Sequence, residues 1–243
     1  MKALILNSGV GKRMKPITNE IPKCLVKLNG NTILGYQIES LIKVGIGEII
    51  MTTGPFDEKI KSFMSENFPH VKVKYIKNEK YETTNYIYSL WLTKGHIDDD
   101  IILLHGDTVF EQELLNRLIK CKNKNCVLIN NKIELPQKDF KAQIIDGKIK
   151  RIGVDVFAEN SFFLAPLYKF SKEDFLIWMN EIENFIKGGE VNKYAEDAFN
   201  EIHYKIDLHP TFFGEEFCME IDTADDLKIA KKFFTNKERN SKE

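Results

Sequence analysis

The sequence predicts an α/β fold, a mostly parallel sheet covered on both faces by helices, and three observations carry that prediction. Short apolar runs of buried-strand type alternate with amphipathic segments of helical period through the first half of the chain. The chain opens on such a run, Ala3 to Leu6, which passes into a glycine turn at Gly9 and Gly11. At 243 residues, 43% of them hydrophobic, it is long enough for one large domain with a sizeable core.

The elements follow in order. Thr32 caps a helix from Ile33 to Val44, with Leu34, Ile38, Leu41 and Ile42 on one face and Gly45 as its stop. Glu48 to Thr53 is a second strand ending at Gly54-Pro55, and Asp57 caps a helix to Asn67. Val71 to Ile76 alternates apolar and basic residues, as a half-exposed strand does. Thr84 or Asn85 caps a helix burying Ile87, Leu90 and Trp91. A fourth apolar strand, Ile101 to His105, ends in Gly106-Asp107, and Glu111 to Lys120 is the helix after it. Beyond the strand Cys126 to Ile129 the rhythm breaks. Ala142 to Gly153 reads as a hairpin turning at Asp146-Gly147, and Ser161 to Leu164 as a short strand stopped by Pro166. Ser171 caps a long helix to Lys187 whose aromatic stripe, Phe175 and Trp178 among it, is core. Tyr194 to Tyr204 is a further helix. Cys218 to Asp222 is a late strand, and Asp222-Thr223 caps a helix from Asp225 to Phe234. The expected organisation is one domain over 1–234, with 130–215 as an acceptor-side region and 235–243 as a polar, disordered tail.

Composition excludes several classes. The formal charge of −1 provides no basic field for nucleic acid. No apolar run reaches the roughly 18 residues of a membrane span, and the opening strand lacks signal-peptide architecture. Cys24, Cys121, Cys126 and Cys218 show no C-x-x-C spacing, so reduced thiols in a cytoplasmic protein are expected rather than a zinc site.

The stretch Ala3 to Leu28 organises the rest. A strand end followed by small residues and glycines delivers bare backbone N–H groups to a phosphate chain, and Lys12 and Arg13 supply neutralising charge. It is neither the dinucleotide fingerprint, since Met14 stands at the third glycine position, nor a P-loop, since Arg13 follows Gly11-Lys12. Asp107 lies just past the end of an apolar strand, at the mouth of such a site. A bound triphosphate needs a divalent cation, and Mg²⁺ prefers one or two carboxylates plus phosphate oxygens. Asp107 is therefore a candidate metal ligand.

The full pattern L-N-S-G-V-G-K-R-M, then Pro16 and Thr18, then Pro22-Lys23-Cys24-Leu25, resembles the nucleotidyltransferases that activate phosphorylated sugars and small phospho-alcohols. That family usually writes Ala-Ala where this chain has Asn7-Ser8, which touches the choice of nucleotide. The segment Asn78 to Leu92 is similar to bacterial phosphocholine cytidylyltransferases, and E-I-D-T-x-x-D-L around Asp222 to the family's second metal motif. The resemblance implies a Rossmann-like mixed, mostly parallel sheet sandwiched by helices. It implies in-line attack of an acceptor phosphate on the α-phosphorus of a nucleoside triphosphate, releasing pyrophosphate. On it, Arg13 and Lys12 stabilise the departing pyrophosphate, Lys23 bridges the α-phosphate and the acceptor phosphate, and Asp107 and Asp222 hold Mg²⁺. Leu6, Asn7, Ser8, Gly9 and Gly11, with Thr84, Asn85 and Ser89, hold the nucleotide.

Size, and the lack of an E-K-P motif, favour the small-acceptor cytidylyltransferases, with CTP and a small phosphorylated acceptor as partners. The acceptors implied are phosphocholine, 2-aminoethylphosphonate or, first choice, the phosphorylated glutamine of capsular phosphoramidate assembly. An amine-bearing acceptor needs carboxylates or aromatic faces, for which Glu159, Tyr194, Glu196 and Asp197 are candidates. A sugar-phosphate enzyme and a non-catalytic nucleotide-binding subunit are the alternatives.

Overall fold

The computed structural model describes residues 1–240. Its centre is β1 (Lys2–Asn7), almost wholly buried, which explains the near-continuous apolar run. The 3₁₀ turns Lys12–Met14, Ile17–Asn19 and Lys23–Leu25 follow, then the two-residue strands β2 (Lys27–Leu28) and β3 (Asn31–Thr32), which pair with each other. Thr32 Oγ1 accepts from Gly35 N to start α1 (Ile33–Lys43), and Gly45 at φ 82° ends it as expected. Next come β4 (Glu48–Thr53), α2 (Asp57–Asn67) and β5 (Lys72–Lys77). Asp57 is not the cap of α2. It is the first helical residue, accepting from Thr53 Oγ1 at 2.6 Å and ion-paired with Lys61 at 2.6 Å.

Asn85 accepts from its neighbour Tyr86 N and caps α3 (Tyr86–Leu92). Then follow β6 (Ile101–His105), a short β7 (Thr108–Phe110) that the sequence reading lacked, α4 (Gln112–Lys120) and β8 (Cys126–Asn130). Cys121 and Cys126 are joined by a disulfide across the α4–β8 turn, while Cys24 and Cys218 are free. This corrects the expectation of four reduced thiols: a tight turn, not a ligand spacing, brings the two cysteines together.

The hairpin forms as β9 (Lys141–Ile145) and β10 (Lys148–Gly153), with both turn residues at positive φ as a two-residue type I′ loop requires. β11 (Ser161–Phe170) runs ten residues, straight through Pro166. Its pairing with β8 shifts register between Ala165 and Tyr168, the irregularity that tolerates a proline inside a strand. Ser171 caps α5 (Lys172–Lys187), and α6 (Ala195–Ile202) is two residues shorter than expected at its C-terminal end. Then come β12 (His209–Phe213), β13 (Cys218–Glu220) and α7 (Ala224–Asn240). α7 continues past Phe234, so 235–240 are helical rather than a disordered tail, and Asn29 Nδ2 donates to Thr235 Oγ1 at 3.0 Å. The remaining tail residues, 241–243, lie outside the described residues.

Nine strands form one sheet, in the order β10-β9-β11-β6-β1-β4-β5, with β8 pairing both β11 and β12. β6, β1, β4 and β5 are mutually parallel, and β11 turns the sheet antiparallel at β6. Thus 130–215 supplies strands to the same sheet as the glycine turn. Helices cover both faces. Trp178 packs among Phe170, Phe175, Tyr168 and Phe199 at ring distances of 5.3–6.0 Å. Trp178→Ala is expected to cost about 3–5 kcal/mol of unfolding free energy, as large-to-small core substitutions of aromatics do. Urea denaturation followed by circular dichroism checks this. No helix of the described residues is long and apolar enough to cross a membrane.

Candidate active site

The parallel strands β1, β4 and β6 end together, and the chain must turn away from the sheet at each end. Two glycines make that possible. A Cβ on Gly54 would lie 2.3 Å from Ser8 O, and one on Gly106 1.7 Å from Asn7 Oδ1. Both neighbouring strands thus clasp the Asn7-Ser8 segment, a role for Gly54 and Gly106 that the sequence alone did not show. Gly11, at φ 63°, has Thr18 Cγ2 3.0 Å from where its Cβ would be, and Thr18 Oγ1 donates to Gly11 O at 2.7 Å. The glycine turn is thereby folded back on the loop that leads to Lys23. From behind, Met14, Val26, Leu28 and Ile33 pack with Ile221, Leu227 and Phe234.

Above these strand ends lies a cavity of about 540 Å³. Its lining includes Leu6, Asn7, Ser8, Gly9, Gly11, Lys12, Arg13, Lys23, Thr84, Asn85, Ser89, Asp107, Asp222 and Tyr194. Every residue expected to meet nucleotide, phosphate or metal is therefore at this one place. Of the four acceptor candidates only Tyr194 lines it. Glu196 is buried beneath, taking hydrogen bonds from Tyr86 OH and, at 2.8 Å, Tyr168 OH. Asp197 closes a capping box with Tyr194 at the start of α6, and Glu159 is exposed outside the cavity. These three correct the expectation: a charged residue's position in sequence does not say which way it faces.

The electrostatic centre is Lys23. Its Nζ lies 2.6 Å from Asp107 Oδ2 and 2.6 Å from Asp222 Oδ1, and Arg13 reaches Asp222 at 2.7 Å. Burial works against the Lys23 ammonium, yet the two carboxylates outweigh it and hold its pKa above the ordinary value. Burial likewise opposes ionisation of Asp107, but Lys23 and then His105 hold its carboxyl below the usual range. The aspartates are brought together by β13, which pairs antiparallel with β7 and places Glu220 opposite Thr108. Ile221 N donates to Asp107 O at 2.9 Å, fixing Asp222 beside Asp107.

The sequence reading missed other lining residues. Asn78, wholly buried, donates to Ser89 Oγ at 2.9 Å and Thr84 Oγ1 at 3.2 Å, so it orients both. His105 Nδ1 lies 2.9 Å from Glu220 Oε1. Burial alone would lower His105, but Glu220, with Glu196 and Asp107 nearby, pushes its pKa up to about 9. Burial and then Asp107 raise Glu220 to about 7. In sequence His105 is simply the last residue of the apolar run that forms β6, with no signal of its own. Tyr81, Tyr86, Lys138, Asp139, Phe140 and Val154 also line the cavity.

Comparison with known proteins identifies the family and the fold. The model of the family described as Nucleotidyl transferase matches residues 2–140. The choline-phosphate cytidylyltransferase of Streptococcus pneumoniae is 31% identical over 225 residues, covering 85% of this chain and 93% of that protein. The CTP:phosphoglutamine cytidylyltransferase of Campylobacter jejuni is 28% identical over 137 residues, 54% of this chain and 53% of that one. Among solved structures, the inositol-1-phosphate CTP transferase from T. maritima superposes with a TM-score of 0.79 at 21% identity, covering 95% of this chain and 93% of that chain. The CTP:phosphocholine cytidylyltransferase from Streptococcus pneumoniae does so with a TM-score of 0.78 at 22% identity, covering 96% and 98%. The structures establish the mixed, Rossmann-like fold, and the family match takes in the glycine turn, Lys23 and Asp107. On that match, which spans more than half of the sequence, the chain belongs to the nucleotidyl transferase family.

Proposed function

We propose that this chain is a cytidylyltransferase that moves CMP from CTP to a small, amine-bearing phosphorylated acceptor. Glutamine phosphate is the first choice, ahead of phosphocholine and 2-aminoethylphosphonate. The observation that carries the reading is the convergence of Arg13, Lys23, Asp107 and Asp222 at the mouth of the cavity floored by the glycine turn. An acceptor phosphate oxygen forms a bond to the α-phosphorus as the bond to the bridging oxygen breaks, and pyrophosphate leaves with that oxygen. No covalent nucleophile is needed; positioning and charge do the work. Lys23, more enclosed than Arg13 or Lys12, meets the α-phosphate and acceptor phosphate. Arg13 and Lys12, more exposed, meet the pyrophosphate.

Asn7 offers a base-reading donor, since its Nδ2 is buried with no partner among the described residues. Thr84, Asn85 and Ser89 face the same space from the start of α3. Asp107 and Asp222 fit Mg²⁺: two carboxylates already converge on one cation, and an all-oxygen donor set with few protein ligands suits that ion. When bound, Mg²⁺ would supply charge neutralisation to the phosphate chain. Aromatic faces from Tyr194, Phe140 and Tyr86 stand ready for an ammonium group. The choline-phosphate cytidylyltransferase, matched over 93% of its length, supports CTP and a small acceptor; sugar-1-phosphate nucleotidyltransferases are also among the relatives, so the acceptor assay decides between the two.

The test is pyrophosphate release with Mg²⁺, four nucleoside triphosphates crossed with glutamine phosphate, phosphocholine, 2-aminoethylphosphonate and glucose 1-phosphate. Turnover is expected with CTP and an amine-bearing acceptor. Turnover confined to glucose 1-phosphate would move the chain to the sugar-nucleotide enzymes, and nucleotide binding without any turnover would favour a regulatory subunit.

A further inference from the structure

One wall of the cavity is the end of the irregular segment 131–140 between β8 and β9, and its charges are not used by the nucleotide chemistry. Lys138, Asp139 and Phe140 all line the cavity. Among the described residues, neither Lys138 nor Asp139 has an ion pair or a hydrogen bond from its side chain. They are adjacent and opposite in charge, and both border one space, with Lys138 exposed at its edge. Asp139 is half-buried, and no cation pairs with its carboxyl among the described residues. Burial, then Asp222 and Asp226, push its pKa up, with Lys141 and Arg13 only partly offsetting them. Such a carboxyl is stabilised by an incoming cation.

The segment is anchored where these residues begin. Lys141, the first residue of β9, is wholly buried. Its Nζ donates to Pro136 O at 2.8 Å and leans on Gln137 O at 3.5 Å, with the Phe157 ring centroid 4.2 Å away. Lys141 thus ties the segment to the β10–β11 loop immediately before Lys138. On the far side Phe140 meets Tyr194 edge-on, with ring centroids 5.1 Å apart. The two charges therefore stand on a held stretch of backbone.

We propose that Lys138 and Asp139 form a head-group subsite for a zwitterion, Lys138 taking a carboxylate and Asp139 an ammonium, so that the acceptor class is a phosphorylated α-amino acid. An α-amino acid carries both charges on one carbon, and two adjacent residues of opposite sign match that pattern. Phosphocholine and 2-aminoethylphosphonate carry only the cation at that end and leave Lys138 unpaired. The inference rests on the proposed transfer reaction for the phosphate end of the acceptor, and its own test is binding.

Calorimetry on the full chain, with a non-hydrolysable CTP analogue and Mg²⁺ present, compares glutamine phosphate, phosphoserine, phosphocholine and 2-aminoethylphosphonate. The two amino acids should bind at least about tenfold tighter than the two ammonium-only acceptors, the worth of one charge-assisted hydrogen bond. Lys138→Met should collapse that ratio towards one, Lys138→Arg should keep it, and Asp139→Asn should weaken all four. An unchanged ratio in Lys138→Met, a wild-type preference for phosphocholine, or no binding of any acceptor overturns the subsite. Selective binding without CMP transfer would remove the cytidylyltransferase reading and leave the subsite standing. CMP transfer without selectivity would do the reverse.

Discussion

Lys23→Met is expected to lower the rate of pyrophosphate release by about 100- to 1,000-fold, the usual effect of removing one preorganised charge-stabilising donor. The same change should destabilise the protein. In the wild type one ammonium lies 2.6 Å from two carboxylates, with the lysine side chain 13% exposed and the aspartates 26% and 23%. Without it Asp107 and Asp222 face each other with Arg13 beside Asp222 and His105 near Asp107 left to compensate. Breaking a buried pair costs about 3–5 kcal/mol, and the exposure of the aspartates places this case at roughly 2–3 kcal/mol. Activity assays and urea denaturation measure the two effects separately. Mg²⁺ should restore stability to the variant more than to the wild type, because the two carboxylates then lack a resident cation. Near-normal turnover in Lys23→Met would remove this lysine from the proposed reaction.

The second large effect is expected at the aspartates. Asp107→Asn and Asp222→Asn should each reduce turnover by about 100-fold or more, and the Mg²⁺ concentration for half-maximal rate should rise at least about tenfold. The fold should persist, since neither side chain belongs to the hydrophobic clusters and each substitution keeps its shape. Titrating Mg²⁺ against pyrophosphate release, with circular dichroism as the control for folding, reads both. Wild-type rates in both variants would sink the metal assignment. Asp222→Asn should also loosen Arg13, which Asp107→Asn should not, because Arg13 pairs with Asp222 alone of the two.

The elements read most accurately from sequence are those whose signals are local. β6 and α5 match their predicted ends, because an unbroken apolar run and a serine cap with a long apolar stripe need no partner to be recognised. β7 and β13 are three residues each, and β7 carries no alternation of its own; it exists because β13 lies beside it. Pro166 stops a strand by any local rule, yet the register shift against β8 absorbs it. The charged run after Phe234 reads as tail, but Asn29 reaches Thr235 and the helix goes on.

The site divides in the same way. Asp107 and Asp222 stand at strand ends, and Arg13 and Lys23 on the turns that follow β1, where topology brings side chains together. The acceptor side does not have that logic. Glu196, Asp197 and Glu159 carry suitable charges, but two are spent on internal hydrogen bonds and one points away. Lys138 and Asp139 sit in irregular backbone, where no periodicity says which way a residue faces.

The pairing of β7 with β13 has a consequence for how the protein is made. Lys23 and Asp222 are 199 residues apart in the chain, and Lys23 and Asp107 are 84 apart. At roughly 5–20 residues per second, a nascent chain that has already exposed Lys23 waits about 10–40 s for Asp222 to emerge. During that interval Lys23 has at most one of its carboxylates, and β7 has no partner strand. The site is therefore completed only when β13 emerges. Any partial product of synthesis that stops before β13 is, on this geometry, a sheet without a working centre.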